Sequence, residues 1–188
     1  MKTLITLIFC YLLSVFTLSA QSEATLKGSS LIAGTVDLSS IGLANVTGGS
    51  RTFFFNLQPS YQRFIVDRIA VGGIATITGN SGGTFSQTRI GVGPKATYFI
   101  DSGNDWIPYV DGSLLYGRSQ NDGLAGVNEV GNFLQAGVSV GMALRKDHLG
   151  ILFDLGYEYT NDDTIGNPIN QIFVSVGLVG FLYQEIEE

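Results

Sequence analysis

The sequence predicts an all-β protein, a closed antiparallel transmembrane β-barrel of about eight strands. Three observations carry that prediction. The stretch Asn170 to Leu182 places Ile172, Val174, Val176 and Leu178 on one face and Gln171, Phe173, Ser175 and Gly177 on the other. Such a strand fits between lipid and a narrow barrel interior. An export signal opens the chain. After it, no stretch approaches the roughly 20 apolar residues of a membrane-spanning helix, so any crossing must use a closed barrel.

The export signal is read from Lys2 as a positive n-region, Leu4 to Leu18 as an apolar h-region, and Ser19-Ala20 before Gln21 as the cleavage point. The expected organisation is therefore a signal peptide over 1–20 and one barrel domain over 21–188. Cys10 falls inside the signal, where Phe9 and the continuing apolar run argue against a lipid anchor. The mature chain then has no cysteine, which removes disulfides and thiolate metal sites. Loss of Lys2 moves the formal charge from −6 to −7. That balance argues against nucleic acid as a partner, because phosphate binding needs a basic surface.

Eight strands are expected near Leu26 to Leu38, Thr52 to Tyr61, Ile69 to Thr78, Phe85 to Ile100, Ile107 to Arg118, Phe133 to Leu144, Leu149 to Thr160 and Asn170 to Leu182. The connections alternate. Segments 39–51, 79–84, 119–132 and 161–169 are rich in Gly, Asn, Ser and Asp, and all but 79–84 are long. Gln62 to Arg68, Asp101 to Trp106 and Arg145 to His148 are shorter. Short periplasmic turns and longer outer loops would put both termini in the periplasm.

Period-2 reading assigns the faces. Leu134, Val138, Val140, Ile151, Phe153, Val174 and Val176 are expected to face lipid. The third strand is ambiguous because both of its faces carry apolar residues. Lys27, Asp37, Arg89, Lys95, Asp111, Asp154 and Glu158 are expected in the lumen, where near balance of sign suggests ion pairs filling the interior. A ring this small has room for its own side chains and no permanent pore. Tyr61, Phe64, Tyr98, Phe99, Trp106, Tyr109, Phe181 and Tyr183 fall near the periplasmic strand ends, where an interfacial girdle is expected. A soluble ligand-holding barrel, with its apolar residues inside, is the competing fold.

The stretch Asn56-Leu-Gln-Pro-Ser-Tyr-Gln-Arg-Phe-Ile-Val-Asp-Arg-Ile-Ala-Val-Gly73 resembles the strand, turn and strand unit of the outer-membrane β-barrel domain family, which includes the small OmpA-like and OmpX-like barrels of Gram-negative bacteria. Echoes run through Gly91 to Ile100, Ile107 to Val110 and Gly137 to Tyr157, so the resemblance covers nearly the whole mature chain. It implies an outer-membrane barrel. It implies little about function, because the shared motifs are structural. The chain departs from the pattern at Gln62-Arg63 and in its acidic tail, Gln184 to Glu188.

Catalytic motifs are nearly absent. His148 sits in an expected turn without a recognisable nucleophile or orienting acid. Asp154 and Glu158, four apart on one strand face, would lie roughly 13 Å apart, beyond the usual two-carboxylate spacing. Gly91 and Gly93 precede no helix and do not suggest a phosphate loop. Asn161, Asp162 and Asp163 offer calcium-type ligands without ordered spacing and read as solvated loop residues.

The expectation is a non-catalytic structural or interaction protein without a cofactor or metal. It would act through loops Ser39 to Ser50 and Ser119 to Asn132 or as a subunit of a larger envelope assembly, with membrane lipid and other envelope proteins as partners. A lipid- or peptide-modifying enzyme and a narrow channel are the alternatives. Ser119, Asn121, Asp122 and Glu129 are the first loop residues to test for an activity.

Overall fold

The computed structural model describes residues 27–42, 51–82, 85–100, 104–122, 128–164 and 168–182, with the backbone alone at 37–42, 51–53, 82, 85 and 128. The expected signal peptide, Tyr183 and the acidic tail lie outside the described residues.

Eight strands form one ring: β1 (Ser30–Gly42), β2 (Arg51–Val66), β3 (Ile69–Gly82), β4 (Phe85–Phe99), β5 (Trp106–Asp122), β6 (Asn128–Lys146), β7 (Leu149–Asp162) and β8 (Ile169–Leu182). Each pairs antiparallel with its sequence neighbours, and β1 pairs with β8 to close the barrel. Ser30 and Leu182 pair with each other at one end. Two-residue turns at Asp67-Arg68 and Asp147-His148 mark that turn end, which the β4–β5 connection shares, while the β1–β2, β3–β4, β5–β6 and β7–β8 connections lie at the other end.

Two boundary expectations are corrected. The expected turn Gln62 to Arg68 shrinks to Asp67-Arg68, because Gln62 and Phe64 continue the inward alternation of β2 and are both buried. Most of the expected loop Ser119 to Asn132 is strand: Ser119 to Asp122 pair with Ser86 to Arg89 on one side and with Asn128 to Gly131 on the other. Polar side chains there reflect position near the loop end, not loss of the ladder.

The registers fix the geometry. Following pairs round the ring from Ser30 leads through Arg63, Val71, Ala96, Gly112, Val138 and Tyr157 to Ile172, whereas Ser30 itself pairs with Leu182. The ten-residue offset between Ile172 and Leu182 is the shear of the barrel. Eight strands with that shear tilt by about 40° and close at a radius of about 8 Å. About ten tilted residues then cover the roughly 25 Å apolar band of an outer-membrane barrel.

Alternation is strict in β7, where every second residue from Gly150 to Asp162 is buried. The outward set is apolar on every strand, including Ile32, Leu57, Val71, Val92, Val110, Val138, Leu155 and Val174. An apolar belt around the whole ring rules out the soluble alternative, in which these residues would turn inward. All seven residues expected to face lipid are on the outside. The ambiguous β3 resolves as Ile69, Val71 and Ile77 outward and Ala70, Ile74 and Thr76 inward.

The interior is layered. At the turn end, Leu31, Phe64, Phe99, Ile107, Tyr109, Val179 and Phe181 form a packed apolar plug. The Phe99 ring lies 5.5 Å from Phe64, 5.6 Å from Tyr109 and 6.4 Å from Phe181. These four aromatics were expected in an interfacial girdle. Among the described residues, that expectation holds only for the exposed Tyr61, Tyr98 and Trp106. The distinction is one of parity, since the plug residues share the inward phase of their strands. Nearer the loop end Ile74, Leu115 and Phe133 form a second apolar cluster.

Inward glycines make room for the rings. A Cβ on Gly156 would come within 2.2 Å of the Phe173 ring, and one on Gly91 within 2.6 Å of Phe133. Gly34, by contrast, has nothing within 4 Å of where a Cβ would sit. Gly156→Ala is expected to destabilise the barrel by about 1–3 kcal/mol through displacement of Phe173. Gly34→Ala should be neutral or better; urea unfolding in detergent micelles compares the two.

The belt gives a second expected outcome. Val140→Arg should cost about 2–4 kcal/mol near the bilayer midplane, whereas Gln120→Arg, exposed near the loop end, should change little. Heat-modifiable gel mobility and urea unfolding in vesicles read both, and equal tolerance would remove the membrane assignment.

Candidate functional site

Between the two apolar clusters the inward residues are polar, and they come from strands on all sides of the ring. Lys95 of β4 pairs with Asp111 of β5 through Nζ and Oδ2 at 2.9 Å. Asp154 of β7 accepts hydrogen bonds from the hydroxyl of Tyr109 and, at 3.1 Å, from Ser175 Oγ. Glu158, four residues further along the same face, accepts from Gln171 Nε2 at 2.7 Å and from Gln58 Nε2 at 3.4 Å. Gln58 reaches Glu158 through the lumen from β2, so this contact ties β2 to β7 behind the two strands, β1 and β8, that lie between them.

A second knot forms at the loop end around Asp162. Arg89 Nε donates to its Oδ2 at 2.8 Å and Gln87 Nε2 to the same oxygen at 3.3 Å. Its Oδ1 accepts from Ser119 Oγ at 2.7 Å, from Thr164 Oγ1 at 2.7 Å and from the Thr164 backbone N–H at 3.0 Å. Beside it, Asn56 Oδ1 accepts from the hydroxyls of Thr76 and Thr78, each at 3.1 Å.

Five of the seven expected lumen residues, Arg89, Lys95, Asp111, Asp154 and Glu158, are inside. Lys27 is not. It precedes β1 at the turn end and is exposed, its backbone N–H donating to Asp67 Oδ1 at 2.9 Å. The expected first strand began too early, so a residue outside the ladder was given an inward phase. The Asp37 side chain lies outside the described residues, although its backbone pairs with Asn56.

The expected ion-pair balance is also corrected. In the polar layer and the knot above it, Arg89 and Lys95 face Asp111, Asp154, Glu158 and Asp162, so carboxylates are in excess there; Arg145, also on the inward phase, lies apart at the turn end. Asp154 and Glu158 rely on neutral hydrogen-bond donors.

Asp162 is a lumen residue and not the solvated loop residue expected of it together with Asn161 and Asp163. The three do not converge: Asp162 is buried, Asn161 is exposed, and exposed Asp163 accepts from the Asn132 backbone N–H at 3.3 Å. No cluster of potential metal ligands occurs among the described residues. The signal was available in β7, where Asp154, Glu158 and Asp162 recur every fourth residue on the inward phase.

The residues first marked for an activity are likewise dispersed. Ser119 is buried against Asp162, Asn121 points inward at the loop end, and Asp122 and Glu129 are exposed. His148 sits exposed in its turn, its carbonyl accepting from the Phe181 N–H at 2.8 Å.

The polar layer encloses a cavity of about 20 Å³, lined by Lys95, Asp111, Asp154, Glu158 and neighbouring hydroxyls. That is room for about one water molecule. With the aromatic plug below it, the arrangement braces the wall from inside.

Solved structures of two small barrels are similar to this fold. Neisserial surface protein A superposes with a TM-score of 0.51 at 18% identity, covering 81% of this chain and 94% of that one. The N-terminal β-barrel domain of Pseudomonas aeruginosa OprF gives 0.53 at 11% identity, covering 84% and 98%. The likeness is one of fold, which here is the closed antiparallel eight-stranded barrel of small outer-membrane proteins. No protein-family model and no curated protein sequence matches the chain.

The network predicts an order of mutational costs. Asp162→Ala strands the Arg89 guanidinium in a poorly solvated interior and should cost about 3–5 kcal/mol. Asp154→Ala leaves only the Tyr109 and Ser175 hydroxyls without an acceptor and should cost about 1–3 kcal/mol. Tyr109→Phe combined with Asp154→Ala should be less damaging than the sum of the single changes. Urea unfolding of the four variants checks both the ranking and the coupling.

Proposed function

We propose that this protein is a non-catalytic integral barrel of the bacterial outer membrane. It serves a structural or interaction role, through its outer loops or as a subunit of an envelope assembly. The observation that carries the reading is the contrast between wall and lumen. An apolar belt surrounds the whole ring, while a packed aromatic plug and a cavity of water size fill its interior. A belt of this kind needs lipid around it. A lumen filled in this way has no volume for a diffusing solute, and its carboxylates lie within the barrel behind their donors.

Export by residues 1–20, periplasmic termini and loops facing outward complete the proposal, with membrane lipid and other envelope proteins as the partners. The fold supports the location, since small outer-membrane proteins share it.

Purified protein in planar bilayers is expected to give no steady conductance. Large reproducible single-channel currents would replace this reading with that of a channel. Gentle solubilisation of native membranes followed by copurification then tests the interaction role. A barrel that always migrates alone would confine that role to its loops.

A further inference from the structure

Pairing lapses for two residues around Pro59 and around Pro94 and resumes, but at one seam it ends well short of the loop end. Pairing between β1 and β8 runs from Ser30↔Leu182 to Val36↔Val176 and stops there. Beyond that point β1 continues to Gly42 paired only with β2, and residues Ile169 to Ser175 of β8 are paired only with β7. Two strand edges therefore flank a gap in the loop-end half of the wall. The gap reaches into the apolar belt, because Ile172 and Val174 on its β8 edge are 78% and 73% exposed. Backbone groups at such an edge are tolerated at membrane depth only if they meet water or a polar guest.

Two further features meet at the gap. Inside, the polar cavity is walled by Thr35 and Ser175, the residues next to the last pair, and by Glu158. The donors on Glu158 come from Gln171 on the free β8 edge and from Gln58 on β2, the other neighbour of β1. Outside, a shallow apolar groove of about 400 Å³ crosses the lipid face over Ser139 and Gly156 and ends at Ile172 on the same edge. A polar chamber with excess carboxylate thus lies behind the slot, and an apolar trough leads to it.

We propose that the β1–β8 gap is a lateral binding slot for a single-chain amphiphile with a hydroxyl or ammonium head. The alkyl chain lies in the groove toward Ile172. The head enters between the strand edges, satisfies their backbone groups and donates toward Glu158. Anionic heads are disfavoured by the surplus of lumen carboxylates. The slot rests on the reading of a plugged barrel in lipid, so the test separates the two.

The protein, freed of cysteine by removal of the signal segment, is refolded into dimyristoylphosphatidylcholine vesicles. Val36→Cys/Val176→Cys should form an intramolecular disulfide on oxidation, since the two are paired. Leu38→Cys/Val174→Cys, one alternation further along the same register, should not. Rapid intramolecular bonding of the second pair would show a closed seam and overturn the slot. An intermolecular bond would give the gap to a strand of a second copy and overturn it equally.

Diazirine-bearing dodecylammonium should label the peptide spanning Gln171 to Ser175 at least about tenfold more than the matching dodecyl sulfate, and Glu158→Gln should remove most of that preference. Equal labelling by the two probes would overturn the proposal. A diazirine-bearing dodecane control should label Val138 and Val140. Failure of that control alone would defeat the membrane reading on which the slot stands.

Discussion

In hydrocarbon every backbone N–H and C=O must find a partner within the protein, and that requirement organises the rest of this structure. A sheet satisfies it only by closing. Closure with eight strands and a ten-residue shear sets the tilt and a radius of about 8 Å. Side chains must then divide between a lipid face and a narrow interior. The exterior can be uniformly apolar because lipid is uniform. The interior cannot, because its residues must fill a fixed space and satisfy one another.

The interior meets that demand in layers. Large rings occupy the turn end, where Phe99 touches Phe64, Tyr109 and Phe181. Tyr109 links this layer to the next, since its ring packs in the plug and its hydroxyl serves Asp154. Gly141 permits the approach: a Cβ there would lie 2.5 Å from Tyr109 Cζ. Above the polar layer Phe133 fills space left by Gly91 and Gly117. Small residues on the inward phase are thus the complement of large ones on neighbouring strands.

The fold was legible because alternation with period 2 survives along nearly every strand, and all eight appear close to their expected places. The errors have two physical sources. Strand ends carry polar residues as they approach water, so Ser119 and Asp162 read as loop although the ladder holds them. Lys27 shows the opposite error, an inward phase extended past the first paired residue. The aromatics differ from expectation for another reason: parity along the strand, and not nearness to its end, decides which way a ring points. Tyr61 and Phe64 lie three residues apart in β2 and face opposite ways. The chain carried that information.

Partner choice in the lumen was not legible, because it depends on shear, which no local pattern encodes. Asp154 and Lys95 are both inward, yet Lys95 takes Asp111, its near neighbour across the β4–β5 ladder, and Asp154 takes a tyrosine. A two-residue slip at one interface would preserve every face and still change which side chains meet. Cross-lumen contacts such as Gln58 to Glu158 and Arg89 to Asp162 therefore report the global registers more directly than any single strand does. Opposing charges and amides, placed by eight registers acting together, make the interior a lock on shear as well as a filling. That lock is least continuous where β1 meets β8, the one seam whose two strands are not consecutive in the chain.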